Sequence, residues 1–342
     1  MFESLSLEKN AISSYFETNS FGYMPNVKRL SFAKNLIKSL DFHEAFEFEL
    51  ATLDDLNFKF NKVSSIHAQF FRKFSHLTRL DVSFNNFFSL DRDFFLNLDC
   101  LEWLDLSFNQ ILTIEDSSLS SLISLKTLNL ENSLIYDLSN SIVSSLNNLN
   151  QLILNHNKLE SFTSFSSLLH IDLSYNSLDR LSIGRSNGVN VLILKSTRLN
   201  INFSNFSNLT YLDVSFSMLN GSLETLNSTI LTHLDMSNSL LVNVASVHIN
   251  GLTNLNFLNM SNLTCPDFVS TLNLSLLVKL EQLDISYNNL SMLRGDFFEN
   301  LTSLKLLNLK ETNLVDFEFL ESFEFLGTFF NEIYLYHFEE NI

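Results

Sequence analysis

The chain has 342 residues, 45% of them hydrophobic, and a formal net charge of −17. Its 21 basic residues are scattered, whereas binding to phosphate groups requires clustered Lys and Arg, so we expect neither nucleic acid nor an anionic membrane as a partner. No apolar run approaches the roughly 18–20 residues of a membrane span, and residues 1–10 lack the charged-then-apolar pattern of a secretory signal.

One apolar motif returns about every 24 residues along the chain. Three clear copies are Leu77, Leu80, Val82, Asn85 and Phe87; Leu101, Leu104, Leu106, Asn109 and Ile111; and Leu280, Leu283, Ile285, Asn288 and Leu290. Self-similarity at a fixed period takes precedence over local patterns when a fold is predicted. By this template the repeats begin at Phe2, Val27, Leu53, Leu77, Leu101, Leu125, Leu149, Leu168, Val189, Leu209, Leu231, Leu255, Leu280, Leu304 and, weakly, Phe330.

Each repeat contains a short segment in which leucines alternate with other residues. Alternation with period two predicts a half-buried strand, so stacked repeats form one parallel sheet. The Asn that follows can satisfy backbone groups of the turn and of the adjacent repeat, and Ser133 and similar residues offer a smaller hydroxyl in its place. Apolar residues in the return segment fill the space behind the sheet, and we expect nearly all of the 34 Phe residues in this core.

The uninterrupted period predicts a single domain over residues 1–342 with about 15 repeats. The repeats are shorter over 168–254, and the last, 330–342, is degenerate. The predicted fold class is α/β: a right-handed repeat solenoid shaped like a horseshoe. One parallel sheet would form its concave face, and short helices, 3-10 turns or loops its convex face.

Two columns of residues are predicted on the exposed face of the sheet. One is acidic and contains Asp81, Asp105, Asp172, Asp213, Asp235 and Asp284. This position of the repeat requires only a polar residue, so the first explanation of the acidic column is a structural role. The alternative is a surface that binds a cation or a basic partner. The other column carries Arg79, Trp103, His170, Tyr211, His233 and Phe257. Exposed aromatics beside charges favour binding of a partner, and we name as candidate contacts Arg79, Trp103, Asp105, His170, Tyr211, Asp213, His233, Asp235 and Phe257.

The sequence also carries a cluster of Asn-x-Ser/Thr motifs, which favours glycosylation of a lumenal or extracellular chain. The candidate sites are Asn202, Asn205, Asn208, Asn220, Asn227, Asn259, Asn262, Asn273, Asn289 and Asn300.

No phosphate-binding loop, zinc-binding helix or nucleophile elbow occurs, so we predict no enzymatic activity, cofactor or metal.

The phrases LTRLDVSFNNF, LEWLDLSFNQI, LLHIDLSYNSL and LEQLDISYNNL resemble the typical 24-residue class of leucine-rich repeats. That class is found in extracellular proteins such as Toll-like receptors, Slit, chaoptin and small proteoglycans. The resemblance implies a leucine-rich-repeat solenoid that recognises a protein or other macromolecular ligand through its concave face, in adhesion or innate immunity.

Two functional hypotheses follow. The first is a fragment of an extracellular or cell-surface recognition protein, favoured by the 24-residue period, the glycosylation motifs and the exposed aromatics. The second is a cytoplasmic leucine-rich-repeat scaffold or regulatory subunit, favoured by the absence of a signal sequence and by two Cys residues, Cys100 and Cys265, too far apart to pair. The first requires sequence upstream of Met1, and the second requires Met1 to be the true start.

Overall fold

The computed structural model describes residues 2–13, 21, 24–41, 50–92, 94–139, 142, 145–164, 167–183, 188–199, 203, 206–220, 226, 228–242, 249, 251–265, 272–293, 295–314 and 332–334. The chain forms two compact units, Met1–Ile171 and Asp172–Ile342. The boundary lies within the strand His170–Asp172. A single repeat domain over residues 1–342 stays a prediction.

The first unit contains three-residue strands that pair in parallel, one from each repeat. They are Ser4–Ser6, Arg29–Ser31, Asp55–Asn57, Arg79–Asp81, Trp103–Asp105, Thr127–Asn129 and Gln151–Ile153. The register is unshifted, so Leu56, Leu80 and Leu104 are partners on successive strands. Because every strand repeats the same alternation, the leucines stack on the buried side and the flanking residues stack on the other.

The second unit repeats this arrangement. Its parallel strands are Val191–Ile193, Tyr211–Asp213, His233–Asp235, Phe257–Asn259, Gln282–Asp284, Leu306–Asn308 and Glu332–Tyr334. Tyr334 lies within the predicted degenerate repeat 330–342, whose other residues, apart from Glu332 and Ile333, lie outside the described part of the chain.

Shorter strands follow the turn in several repeats, and 3-10 helices occur in the return segments. The short strands are Ser39–Leu40, Ser65–Ile66, Ser89–Leu90, Thr113–Ile114 and Ser161–Ser164 in the first unit, and Arg180–Ile183, Arg198–Leu199, Met218–Asn220 and Leu240–Val242 in the second. Two 3-10 helices that the structure describes over their full length are Phe70–Lys73 and Gly295–Phe298. Among the described residues, no helix has the length and apolar character needed to cross a bilayer.

The core behind the strands is continuous within each unit. Leu80 and Leu104 are fully buried, and Phe32 stacks on Phe58 of the next repeat with ring centroids 5.0 Å apart. Each large apolar side chain removed from water contributes about 1.5–3 kcal/mol, so the repeats stabilise one another by covering each other's apolar edges. The fold predicted from the sequence, a parallel-sheet repeat solenoid, is confirmed.

The predicted asparagine ladder is also present. The Asn109 side chain accepts the Phe87 N–H at 3.1 Å in the preceding repeat, and its amide nitrogen donates to the carbonyl of Leu106 at 2.8 Å and to that of Val82 at 3.2 Å. Asn157 makes the equivalent bonds to Ile135, Leu130 and Leu154. A buried turn thereby keeps its backbone groups paired.

Ser133 occupies the ladder position between these two residues, and its buried hydroxyl has no hydrogen-bond partner. Asn at this position should place an amide oxygen beside the Ile111 N–H and so extend the ladder. We therefore expect Ser133→Asn to raise the free energy of unfolding by about 1–2 kcal/mol in urea titrations. Ser217→Asn is the matched control: Ser217 already donates to the Leu194 carbonyl at 2.9 Å, so its replacement should gain less. Equal gains at both positions would contradict this explanation.

Candidate functional site

The strand face is the surface made by the first and third residues of each three-residue strand. In the first unit the register places Arg79 beside Trp103 and Asp81 beside Asp105. In the second unit it places Tyr211, His233 and Phe257 in one column, and Asp213, Asp235 and Asn259 in the next. The two columns predicted from the sequence are therefore present within each unit.

Three rings of the second unit form a stack on this face. The His233 imidazole lies 4.3 Å from the Tyr211 ring and 3.9 Å from the Phe257 ring, with interplanar angles of 10° and 1°. All three side chains are half-buried, and the His233 ring is covered on both faces by its two neighbours. Burial lowers the pKa of His233, although the nearby carboxylates of Asp235 and Asp213 oppose this effect. The net shift favours the neutral imidazole.

Charged groups lie beside this ring stack. The Lys195 ammonium is 2.8 Å from an Asp213 carboxylate oxygen, and the Asp213 side chain is only 2% exposed. The hydrogen bond to Asp213 raises the pKa of Lys195, and burial together with Asp213 raises that of Tyr211. Lys195 was not among the candidate contacts. Lys195 lies two residues after the strand Val191–Ile193. Only an alignment of that repeat with the next one indicates that this position is near the strand face.

The first unit carries a smaller cluster. The Arg79 guanidinium lies 3.3 Å from the centre of the Trp103 ring, and its Nε is 3.9 Å from an Asp55 carboxylate oxygen. Burial raises the pKa of Asp55 despite the opposing effect of Arg79. An arginine held over an indole combines apolar area with a directed charge, which is characteristic of binding hot spots. His170 is half-buried on the strand His170–Asp172.

The aspartates of the acidic column have a structural role, because each one closes the turn that follows its strand. A carboxylate oxygen accepts the N–H of the Ser two residues later at 3.0 Å in Asp81, 2.8 Å in Asp105, 2.9 Å in Asp172 and Asp235, 3.1 Å in Asp213 and 3.0 Å in Asp284. In other repeats Asn129 accepts the N–H of Glu131 and Asn259 accepts that of Ser261. Among the described residues, no three His, Cys, Asp or Glu side chains converge as a metal site would require.

Asp105 should carry a pH-dependent penalty, because burial raises its pKa above the usual 3.8. Asp105 then binds a proton more readily in the folded state than in the unfolded state, so its contribution to stability becomes more favourable as the pH falls toward 3.8. We expect Asp105→Asn, which keeps an acceptor for Ser107, to match or exceed the wild-type stability at about pH 7 and to lose that advantage near pH 4. Urea titrations at both pH values measure this; an advantage of the variant that grows on acidification would contradict it.

The glycosylation motifs fall in different environments. Asn259 is half-buried on the strand face, where its amide nitrogen donates to Asp235 at 3.3 Å and its oxygen accepts the Ser261 N–H at 3.1 Å. The exposed motif residues are Asn208, Asn262, Asn273, Asn289 and Asn300. Asn202, Asn205 and Asn227 lie outside the described residues, as does the side chain of Asn220.

Comparison with known proteins agrees with this architecture. The leucine rich repeat family model matches residues 51–111, 101–159 and 278–326. The internalin inlF of Listeria monocytogenes is 21% identical over 91% of this chain and 87% of its own, with a TM-score of 0.68. No curated protein sequence matches the chain.

Two receptor complexes have the same fold. The chain is 20% identical to Toll in the Drosophila Toll–Spatzle complex, with a TM-score of 0.73 over 88% of this chain and 43% of that one. The chain is 22% identical to TLR13 in the TLR13–ssRNA13 complex, with a TM-score of 0.68 over 87% of this chain and 49% of that one. The chain thus spans less than half of either receptor chain. Because one of these structures contains RNA, the fold does not support excluding nucleic acid, and that exclusion stays a prediction based on charge.

The repeat period, the unshifted register of the strands, the asparagine ladder and the family-model match all lead to the same assignment. The chain contains leucine-rich repeats.

Proposed function

We propose that this chain is a non-enzymatic recognition module from an extracellular or cell-surface receptor of the adhesion or innate-immune type. In this proposal a protein partner binds to the strand face. The observation that carries the proposal is the stack of Tyr211, His233 and Phe257 beside the Lys195–Asp213 ion pair. Aromatic groups next to an ion pair with a buried carboxylate are characteristic of the centre of protein interfaces.

The structural likenesses support the protein-binding part of this proposal. Toll is seen in complex with Spatzle, and leucine-rich repeats as a family are generally binding scaffolds. The fold alone does not fix a function, so the argument depends on the strand-face residues. On that face, rings held by neighbouring repeats need little further ordering when a partner binds.

A photo-crosslinker placed beside the ring stack tests this surface. Gln282 is exposed and is the register partner of Phe257, so benzoylphenylalanine at Gln282 leaves the stack intact. When this variant is irradiated with the secreted proteins of the source organism, it should form a discrete adduct. His233→Ala should abolish that adduct without a large change in melting temperature. The same crosslinker at Ile123, which is 55% exposed and outside the strand face, is the control. Equal adducts from both positions, or an adduct that His233→Ala leaves unchanged, would refute the proposal.

Glycan analysis tests the proposed location. Protein isolated from its source cells should lose mass on treatment with peptide N-glycosidase, and the released sites should include exposed residues such as Asn273, Asn289 or Asn300. Unchanged mass together with recovery in the cytosol would support the intracellular scaffold instead.

A further inference from the structure

A second surface lies outside the strand face, where each strand turns toward the asparagine ladder. We call it the turn row: Lys9, Lys34, Phe60, Phe84 and Phe108, the residues with φ between 53° and 58° at this point of five successive repeats. Each N–H of the row donates to the neighbouring repeat; that of Phe84 donates to the Ser107 carbonyl at 2.9 Å and that of Phe108 to Glu131 at 2.8 Å. The backbone therefore holds the five side chains in consecutive positions.

The three aromatic rings of the row are stacked and reach solvent. Phe84 lies 4.2 Å from Phe60 and 4.2 Å from Phe108, at interplanar angles of 31° and 8°. Phe60 is 40% exposed, and the other two rings are half-buried. A left-handed backbone disfavours bulky side chains by about 1–2 kcal/mol, and Asn132 occupies the same position in the next repeat. The fold itself therefore does not require aromatic residues here.

Lysine side chains lie over these rings and along the same row. The Lys59 ammonium lies 5.5 Å from the centre of the Phe60 ring and 5.1 Å from that of Phe84. Lys9, Lys34 and the neighbouring Lys62 are exposed. Within the described part of the chain, no carboxylate forms an ion pair with any of these four lysines. Lys59 also interacts with the charge of Asp105, so the three exposed lysines supply most of the free positive charge along the turn row, in a chain with a net charge of −17.

The ring geometry restricts the kind of ligand. Nucleic-acid bases bind aromatic side chains through ring faces, but both faces of Phe84 and one face of Phe108 are covered by neighbouring rings, and Lys59 lies over Phe60. The exposed ring edges are electropositive and apolar, which suits carboxylates and apolar side chains. Five repeats at about 4.8 Å per step span roughly 19 Å, the length of about six extended residues.

We propose that the turn row binds an extended acidic peptide segment of a partner protein. Carboxylates of that segment contact Lys9, Lys34 and Lys59, and its apolar side chains lie along the edges of Phe84 and Phe108. This surface is distinct from the strand face and does not depend on the function proposed for it.

Fluorescence anisotropy with short labelled peptides tests the proposal. The probes are the peptide Glu-Glu-Glu-Leu-Phe-Leu and the peptide with the reversed sequence. At least one of them should bind the full chain, and its affinity should fall as salt is added. Lys-Lys-Lys-Leu-Phe-Leu should bind at least about tenfold more weakly. Equal binding of the acidic and basic peptides would overturn the proposal.

Matched variants locate the bound peptide. Phe84→Asn should weaken binding about tenfold without lowering the melting temperature, because Asn suits the left-handed backbone. Lys34→Glu should weaken binding similarly. The control is Phe216→Asn: Phe216 has the same backbone conformation and is 59% exposed, but its neighbours in the equivalent position are Ser196 and Asn238. Unchanged binding by Phe84→Asn, loss of peptide binding on His233→Ala, or stronger Phe84-dependent binding of labelled oligo-dT would each overturn the proposal.

Discussion

Replacing Asn85 by Ala is expected to lower the free energy of unfolding by about 3–5 kcal/mol, because several buried backbone groups lose their partner at once. The Asn85 amide nitrogen donates to the carbonyls of Phe58 and Val82 at 3.0 Å and to that of Ser83 at 3.1 Å. Its oxygen accepts the Val63 N–H at 2.9 Å. The truncated side chain leaves too little room for water to replace all four bonds, so the turn between two repeats loses its support.

The adjacent residue supplies the control for this variant. Asn86 is exposed and in the same turn, so Asn86→Ala should change the free energy of unfolding by less than about 0.5 kcal/mol. Urea titrations of both variants, monitored by the far-ultraviolet signal of the strands, measure the difference. Similar losses from both substitutions would show that side-chain volume or turn propensity, rather than the buried amide, stabilises the repeat.

The fixed period made most of the fold predictable from sequence. Once Leu80 and Leu104 are assigned to equivalent positions, strand pairing and register follow, since each repeat must cover the apolar edge of the one before it. The same assignment placed Arg79 beside Trp103 and Tyr211 beside His233. It could not predict the ring stacking or the Lys195–Asp213 ion pair, because these depend on side-chain conformations that a repeat alignment does not determine.

The expectation that nearly all Phe residues lie in the core was wrong for a defined set. Phe88 and Phe216 are each 59% exposed, and the three phenylalanines of the turn row reach solvent. Phe88 lies outside the ladder turn, three residues after Asn85. For the other four the reason is local: the left-handed backbone at the ladder turn directs the residue before the ladder Asn or Ser away from the core. The phrases KFN at 59–61 and SFN at 83–85 and 107–109 carry this signal. The repeat template assigned the rings to the interior because it records which positions are apolar and ignores backbone conformation.

The Ser133 hydroxyl shows a second limit of sequence reasoning. Ser and Thr were expected to substitute for Asn in the ladder, and the Thr197 hydroxyl does donate to the Leu194 carbonyl at 2.7 Å. Ser133 makes no such bond. Whether a short hydroxyl reaches a carbonyl depends on small differences in backbone position between repeats. A sequence pattern does not specify such small differences.

Asp213→Ala is the second substitution with a large expected effect, a loss of about 2–4 kcal/mol in the free energy of unfolding. Asp213 accepts the Ser215 N–H at 3.1 Å and its hydroxyl at 2.7 Å, and it holds the Lys195 ammonium. Most of the loss should come from the two unpaired groups of Ser215, because the Lys195 side chain is 37% exposed and solvent screens its charge. Asp213→Asn should lose less, since the Asn259 amide closes the same turn on Ser261.

The pH dependence separates the ion pair from the turn. Asp213 raises the pKa of Lys195 above its usual 10.5, so the contribution of the pair is complete below 10.5 and is lost as the pH rises through the raised value. Lys195→Met should therefore show a smaller decline in stability than the wild type over that alkaline range, while retaining the Ser215 turn. Asp213→Ala should combine the smaller alkaline decline with lower stability at neutral pH. If Lys195→Met and the wild type lose stability equally above pH 10.5, the ion pair contributes nothing to folding, and the turn bonds alone account for burying Asp213.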